Sequence, residues 1–348
     1  MVTSRDVARI AGVSQSTVSY VMSGRRSISA ETRKRVLAAI EELTYQPNAG
    51  ARALASQRTQ VVGLVVPFGP NGDTAGILPF IETIASCARA EDHDVLLVTA
   101  DEGAAGLTRL AGRALCDAIV LMDIEADDAR IPVAAALPVP VILIGVPDDS
   151  AGLHCVDMDF SLAGTLAVDE VAALGHDRVV LIGHAADVIE RDINFVRRFQ
   201  RGAAAAAERH GIGYSVVAPV PPGTAAARVA VERALDGGGR PGIVVPNSQA
   251  VAPVLHALTE RGLVPGRDIS LIGLCTDAAA EASTPAVTNV SLEPRDVSRR
   301  AMEILFRLLD RGGDRPAEGS LPGPGVDAEH LELITPRLTR RETTLPAP

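Results

Sequence analysis

No run in this sequence approaches the roughly 20 consecutive apolar residues that a membrane-spanning helix needs, so no partner membrane is expected. The first thirty residues are polar and patterned, without the apolar core of a secretory signal, and a cytoplasmic protein is expected. Cysteine is scarce: Cys87, Cys116, Cys155 and Cys275 lie far apart and form no CxxC pair. They read as buried reduced thiols, and neither disulfides nor zinc are implied. The seven histidines show no metal-ligand spacing, so no metal or other cofactor is expected. No GxSxG elbow or paired-carboxylate arrangement stands out, which argues against an enzyme. Gly237-Gly238-Gly239 follows a helical stretch rather than a strand, and so reads as a turn and not a phosphate loop.

What is present is apolar substance and a lopsided charge. At 348 residues and 47% apolar composition, the chain can build two or three packed domains. The net charge of −10 hides an asymmetry: residues 1–60 carry nine basic and four acidic side chains, while the remainder holds 24 basic against 39 acidic. A basic head on an acidic body suits a protein whose head meets phosphate and whose body must not, although a surface-binding arm would carry the same charge.

The head begins with a patterned stretch. Thr3 and Asp6 form a capping pair opening a first helix, with Val7, Ile10 and Ala11 on one side. Gly12 can take the positive φ that ends a helix, and Val13 can tuck inward. Ser14 then caps a second helix whose Thr17, Val18, Val21 and Met22 share a face. Two short helices joined by a glycine turn make a helix-turn-helix, whose second helix fits the DNA major groove. Its outward residues are Gln15, Ser16, Ser19 and Tyr20, flanked by Arg5, Arg9, Arg25 and Arg26, groups suited to base edges and phosphates. Taken alone, the same pattern also describes a helical hairpin with an ordinary solvated face. Ser29 precedes a third helix over 31–43 with Val36, Ile40 and Leu43 at helical spacing, and Tyr45-Gln46-Pro47-Asn48 stops it. Residues 48–55 mix alanine with Gly50 and form a marginal helix.

The run DVARIAGVS.STVS, the helix SAETRKRVLAAIEELTYQPN and the segment ARALAS together resemble the LacI/GalR family of transcriptional regulators, and the resemblance extends over the whole chain. It implies that Gln15, Ser16 and Tyr20 read bases and that Thr17, Ser19 and Ser29 meet phosphates. Thr3, Ser14, Arg25, Asn48 and Ala51 complete the candidate DNA contacts. Leu54 matches the leucine that dimers of the family push into the minor groove, where an apolar wedge unstacks a base step at a cost of a few kcal/mol; a buried linker leucine is the other reading. The organisation implied is a helix-turn-helix domain over 1–46, a hinge and linker over 47–60, and a periplasmic-binding-protein-like body. The partners implied are double-stranded operator DNA, a small-molecule effector and a second copy of the chain, since a palindromic operator needs two heads related by a two-fold axis. No heptad repeat follows toward Pro348, so the tetramer-forming tail of some relatives is expected to be absent. Repression is the family default.

The body itself reads as alternating strands and helices. Strands are expected over 61–67, 95–99, 118–122, 139–144, 179–183, 214–220, 242–245 and 269–273, with helices over 77–90, 106–115, 161–174, 193–209, 224–235 and 249–261. Such alternation implies α/β architecture with two doubly wound parallel sheets and ligand at the cleft between them. By the resemblance, the chain passes between the lobes near 158–161, 288–292 and 321–327. The first lobe is then 61–158 plus 291–322 and the second 159–290 plus 323–340, with a helix over 295–309 returning to the first and a strand over 331–335 in the second. Gly175-His176 matches a helix-ending turn of the family.

The resemblance also implies an effector pocket, and there the pattern frays. Asp159 matches the aspartate of the first crossing, but Phe160 follows it. Phe199 stands where an arginine is usual, with Arg197 and Arg198 just upstream; Asn247-Ser248 loses a carboxylate; and Thr276 replaces an acidic residue, with Asp277 displaced. Phe68 completes the candidate ligand residues, with Asp101 and Asn71 as further ones that serve equally as loop caps. Three accounts stand open: a less polar ligand favoured by Phe160 and Phe199, a sugar bound by other groups, or a vestigial site. Two functions of other classes, an exported ligand-binding protein and a small-molecule enzyme on the same scaffold, are opposed by the basic head and by the lack of a nucleophile–base pair. If Leu54 is the wedge, Leu54→Ala should weaken specific operator binding more than nonspecific binding in a gel-shift assay, and equal loss in both would refute the assignment.

Overall fold

Thr3 opens the first helix, α1 (Ser4–Ala11), in the manner its neighbours predict: its hydroxyl accepts from the Asp6 N–H at 3.4 Å, and the Asp6 carboxylate accepts from the Thr3 N–H at 3.0 Å. The Thr3 hydroxyl also donates to the Asp6 carboxylate at 2.7 Å, and that bond, with the one from the Thr3 N–H, holds the Asp6 carboxyl below its ordinary value. Gly12 takes the left-handed conformation at φ +64°, which a side chain would resist, and turns the chain into α2 (Gln15–Ser23). Ser14 Oγ accepts from the Thr17 N–H at 3.1 Å, and Ser29 Oγ accepts from the Thr32 N–H at 3.3 Å to start α3 (Ala30–Glu42).

This computed structural model describes residues 2–23, 28–45, 58–68, 74–310 and 325–344, which belong to two units, Met1–Gln60 and Val61–Pro348. In the first, Val7, Ala8, Ala11, Val18, Val21, Val36 and Ala39 close a three-helix core, with Val13, Ile40 and Leu43 packed partly against it. The buried face of α1 is Val7, Ala8 and Ala11, so Ile10 lies outside it at 40% exposed, and Met22 likewise sits at the outer edge of α2 at 38%. Three short helices cover only a narrow stripe on each partner, and those two side chains fall beyond it.

The second unit holds two six-stranded sheets. The first has the order β11-β5-β4-β3-β1-β2, from β1 (Val61–Val66), β2 (Asp94–Thr99), β3 (Ala118–Met122), β4 (Val141–Ile144), β5 (His154–Met158) and β11 (Leu331–Ile334), all parallel. Helices α4 (Thr74–Ala90), α5 (Gly103–Gly112) and α6 (Arg130–Ala136) connect its strands. The second has the order β12-β10-β9-β8-β6-β7, from β6 (Arg178–Ile182), β7 (Gly213–Val217), β8 (Pro241–Val245), β9 (Ser270–Leu274), β10 (Thr288–Val290) and β12 (Leu338–Thr339), with only β12 antiparallel. Its helices are α7 (Phe160–Ala173), α8 (Ala186–Glu190), α9 (Asn194–His210), α10 (Thr224–Leu235), α11 (Ser248–Glu260) and α12 (Asp277–Ala282). Helix α13 (Pro294–Asp310) packs on α4 of the first lobe, where Arg295 meets Glu82 at 2.6 Å. Central strands such as Ala118–Met122 are buried throughout, as parallel strands covered on both faces should be.

Two crossings fall where expected, after Met158 and after Val290; the third does not. Residues 331–334 belong to the first lobe, pairing in parallel with Cys155–Met158, and the Asp159 N–H donates to Ile334 O at 2.9 Å. Gly325 is already on that lobe, its carbonyl accepting from the Ser150 N–H at 3.3 Å. The crossing therefore lies between Ile334 and Leu338, and the second lobe regains the chain only from Leu338, through Thr343, whose hydroxyl accepts from the Thr288 N–H at 2.8 Å. The glycine- and proline-rich composition of 312–326 marked a connection, but strand pairing places the crossing later. Strand β5 also escaped the sequence reading, because His154 and Asp157 interrupt its apolar pattern.

All four cysteines are free, and burial pushes the thiols of Cys116 and Cys275 up to about 11 and that of Cys155 to about 12. Gly175 takes φ +75°, and the buried His176 behind it bonds Ser270 Oγ at 2.8 Å and the Arg240 carbonyl at 3.0 Å, a structural role. The helices that carry the site cross at two glycines: a Cβ on Gly164 of α7 would lie 2.2 Å from the Phe199 carbonyl oxygen, and one on Gly202 of α9 would lie 1.9 Å from the Ser161 oxygen. Because the obstacle is main chain, Gly202→Ala should cost more than the roughly 1–3 kcal/mol of ordinary overpacking, seen as a lower Tm by circular dichroism; an unchanged Tm would show that the helices part freely.

Candidate DNA-contacting face and inter-lobe cleft

In the head, the outer face of α2 is polar and open: Gln15, Ser16, Ser19 and Tyr20 are exposed and Thr17 is half-buried. The glycine turn fixes which residues face outward, since it sets the angle at which Val18 and Val21 enter the core. The Gln15 amide donates to Ser4 Oγ at 2.7 Å, so the side chain that would read a base is held by the helix before it. Ser14 Oγ lies 2.8 Å from both Ser16 Oγ and Thr17 Oγ1, and together with Thr3 and Ser29 it is engaged in capping. Thus Thr3, Ser14 and Ser29 build the helices, while Gln15, Ser16, Ser19 and Tyr20 present groups outward. Arg5 and Arg9 are exposed at α1, Arg9 3.7 Å from Asp6. Arg25, Arg26, Asn48, Ala51 and Leu54 lie outside the described residues.

In the body, the carboxyl ends of strands from both sheets open on a cavity of about 760 Å3. Pro67 after β1, Asp123 after β3, Gly145 after β4, His184 after β6 and Asn247 after β8 all border it. This is the position that open parallel sheets reserve for ligands. Of the candidate ligand residues, Phe68, Phe160, Asn247 and Ser248 line the cavity, as does Asp101. Asn71 lies outside the described residues.

Four candidates do not line it, each for a structural reason. Asp159 caps α7, accepting from the Leu162 N–H at 3.0 Å. Arg197 pairs with Asp148 at 2.6 Å and Asp192 at 3.2 Å. Phe199 is 2% exposed inside the α7–α9 crossing. Thr276 caps α12, accepting from the Ala279 N–H at 3.3 Å. The carboxylate at the first crossing that does face the cavity is Asp157, two residues earlier. It accepts from Arg198 Nη1 at 2.7 Å and from the Met158 N–H at 2.9 Å, and burial nevertheless pushes it up to about 6.

Two further ion-pair systems flank the cleft. Arg130 grips Asp128 at 2.6 Å and donates to the main-chain oxygens of Met122 and Asp123. Burial works against the charged Asp128, yet Arg130 outweighs it and holds the carboxyl below its ordinary value. Arg191, at the end of α8, reaches across to Asp123 and, at 2.7 Å, to Glu125. Beside it the Ala126 N–H donates to Asp192 O at 3.0 Å and the Asn194 amide to Val146 O at 2.7 Å, so main-chain and side-chain bonds join the lobes along one border.

The remaining wall is aromatic. Phe160 and Phe195 stand 4.9 Å apart between ring centroids, His184 meets Phe195 edge-on at 5.7 Å, and Arg198 lies 5.8 Å over Phe160. His184 is 6% exposed, its Nδ1 has no hydrogen-bond partner, and burial pushes its pKa down to about 4. Sequence reasoning missed Arg191, His184 and Phe195; the one available signal was that His184 directly follows the β6 strand pattern.

A model of bacterial regulatory proteins of the lacI family matches residues 3–48, and one of the periplasmic-binding-protein-like domain matches residues 168–344. The HTH-type transcriptional regulator AscG of Escherichia coli is 32% identical, with 90% of this chain and 94% of that protein covered. Catabolite control protein A of Priestia megaterium is 28% identical, with 89% and 93% covered. A solved lac repressor dimer bound to operator and the anti-inducer ONPF shares the fold, with a TM-score of 0.78 at 24% identity over 99% of each chain.

The buried His184 gives a pH test. Its folded value of about 4 lies below the ordinary 6.5, so the stability conferred by the neutral ring is complete above pH 6.5 and is lost as pH falls toward 4. The loss amounts to about 3 kcal/mol at most. Asp157, raised to about 6, contributes in the opposite sense over the same window, so His184→Phe should shift the slope of unfolding stability against pH toward greater stability at low pH, and an unchanged slope would refute the assignment.

Proposed function

Because this chain belongs to the LacI family of bacterial regulatory proteins, we propose that it represses transcription as a homodimer bound to a palindromic operator, under the control of a small molecule held between its lobes. It is a DNA-binding transcriptional regulator, and the reading places its work in the cytoplasm, where the DNA lies. Among the described residues no helix is long and apolar enough to cross a membrane. The observation that carries the proposal is the exposed polar face of α2, set by a left-handed Gly12 and capped helices. On that face Gln15, Ser16 and Tyr20 address base edges, while Thr17 and Ser19 address phosphates. The arginines nearby supply the salt-dependent part of affinity.

A cavity of about 760 Å3 falls within the size range of small-molecule sites, which supports a working effector site over a vestigial one. Phe160, Phe68, Asn247 and Ser248 border it, and the Asn247 Oδ1 is already engaged with the Gln249 N–H at 3.1 Å. A ligand that binds one arrangement of the lobes more tightly than another shifts the population of that arrangement and with it operator affinity. Arg191, Asp192 and Asn194 bond across the lobe border, so a change in lobe arrangement would have to break or remake those bonds.

Selection from random duplexes with the full-length protein at moderate salt should enrich an inverted repeat. Gln15→Ala should then lower discrimination at one base pair of each half-site by about 1–3 kcal/mol while leaving nonspecific binding unchanged. No preference for any inverted repeat would sink the proposal.

A further inference from the structure

The proposal that the cleft holds the effector leaves the chemistry of that effector open, and the lining narrows it. Among the described lining residues, Asp101, Asp123, Glu125, Asp128, Asp157 and Asp187 bring six carboxylates against the guanidiniums of Arg130 and Arg191. Arg130 is spent on Asp128 and two main-chain oxygens, and Arg191 on Asp123 and Glu125. Arg198, behind the wall, is spent on Asp157 and the Met158 carbonyl. The same pairs engage Asp123, Glu125, Asp128 and Asp157, but three guanidiniums against six carboxylates leave this wall net negative, so an entering carboxylate or phosphate meets a negative field and no guanidinium outside an existing pair. Desolvating an anion beside excess carboxylates is unfavourable.

The other features favour the opposite sign. The rings of Phe160 and Phe195 form a tilted pair, and the guanidinium already lying over Phe160 shows that this ring accepts a cation on its face. His184, edge-on to Phe195, borders the same cavity, and its burial favours the neutral ring, so it adds no positive charge to that wall. Resting on the reading of the cleft as effector site, we infer that it takes an organic cation: a flat apolar body carrying an amine, the body against the Phe160–Phe195 pair and the charge toward the carboxylates. Such a ligand would also compete with Arg191 for Asp123 and Glu125, which couples its binding to the border between the lobes.

Isothermal titration of the full-length protein with phenethylamine, 3-phenylpropionate and D-glucose separates the alternatives, since the first two share a body and differ in charge. Phenethylamine should bind and 3-phenylpropionate should not. Phe195→Leu, which keeps an apolar side chain but removes the ring face, should weaken phenethylamine about tenfold, and Asp101→Asn, at an exposed position, should weaken it by a smaller factor. Binding of 3-phenylpropionate as tight as that of the amine, or full affinity for the amine in Phe195→Leu, would overturn the inference. Binding of glucose without the amine would overturn it while leaving the cleft as an effector site. Binding of none of the three at millimolar concentration would overturn it as well, and operator selection would still decide the regulatory reading independently.

Discussion

Two parallel sheets can share one ligand site only if their carboxyl ends open on the same space, and the three crossings between the lobes impose that condition. Each crossing is short: Met158 to Phe160, Val290 to Pro294, and Ile334 to Leu338. Each leaves a strand and passes over a few residues, so the lobes are tethered at three points and the strand ends on either side face one cavity. The close approach of α7 and α9 through Gly164 and Gly202 fixes where Phe160 and Phe195 emerge from the second lobe. Side-chain volume in that crossing is what the site cannot tolerate.

Around this frame, charge is used for joining more than for presenting. Arg191 spans the lobes, Arg130 and Asp128 form a buried pair, and Arg198 holds Asp157. Removing one member of a buried pair strands the other in a poor dielectric, a penalty of about 3–5 kcal/mol, so these pairs resist substitution even where the ligand never touches them. Among the described residues, the cleft therefore has its guanidiniums paired, more carboxylates than guanidiniums, and an aromatic apolar wall.

The head divides its polar residues in a comparable way. Thr3, Ser14 and Ser29 satisfy main-chain N–H groups at helix starts, where a lost cap costs about 1 kcal/mol each. Gln15, Ser16, Ser19 and Tyr20 remain on the outer face, and a three-helix core of seven small or β-branched side chains holds that face in shape. Neighbouring hydroxyls one or two positions apart thus either cap a helix or stand on the open face.

Local chemistry was legible in the sequence wherever it depends on near neighbours. The Thr3–Asp6 cap, the Gly12 turn, the helix over 224–235 and the strand over 118–122 all stand as expected, because capping, positive φ and apolar periodicity are properties of a few consecutive residues. The charge split between head and body was legible for the same reason. The pocket was not. Asp159, Arg197, Phe199 and Thr276 sit at the right sequence positions, yet caps, surface ion pairs and a helix crossing claim them, while Asp157, His184, Phe195 and Arg191 face the cavity. The last crossing moved as well, since Leu331–Ile334 found its partner in a strand more than 170 residues earlier. Sequence alone determined which elements form and that the head suits DNA; tertiary structure decided which side chains share the cleft, because that depends on partners distant in the chain and on the angles at which helices cross.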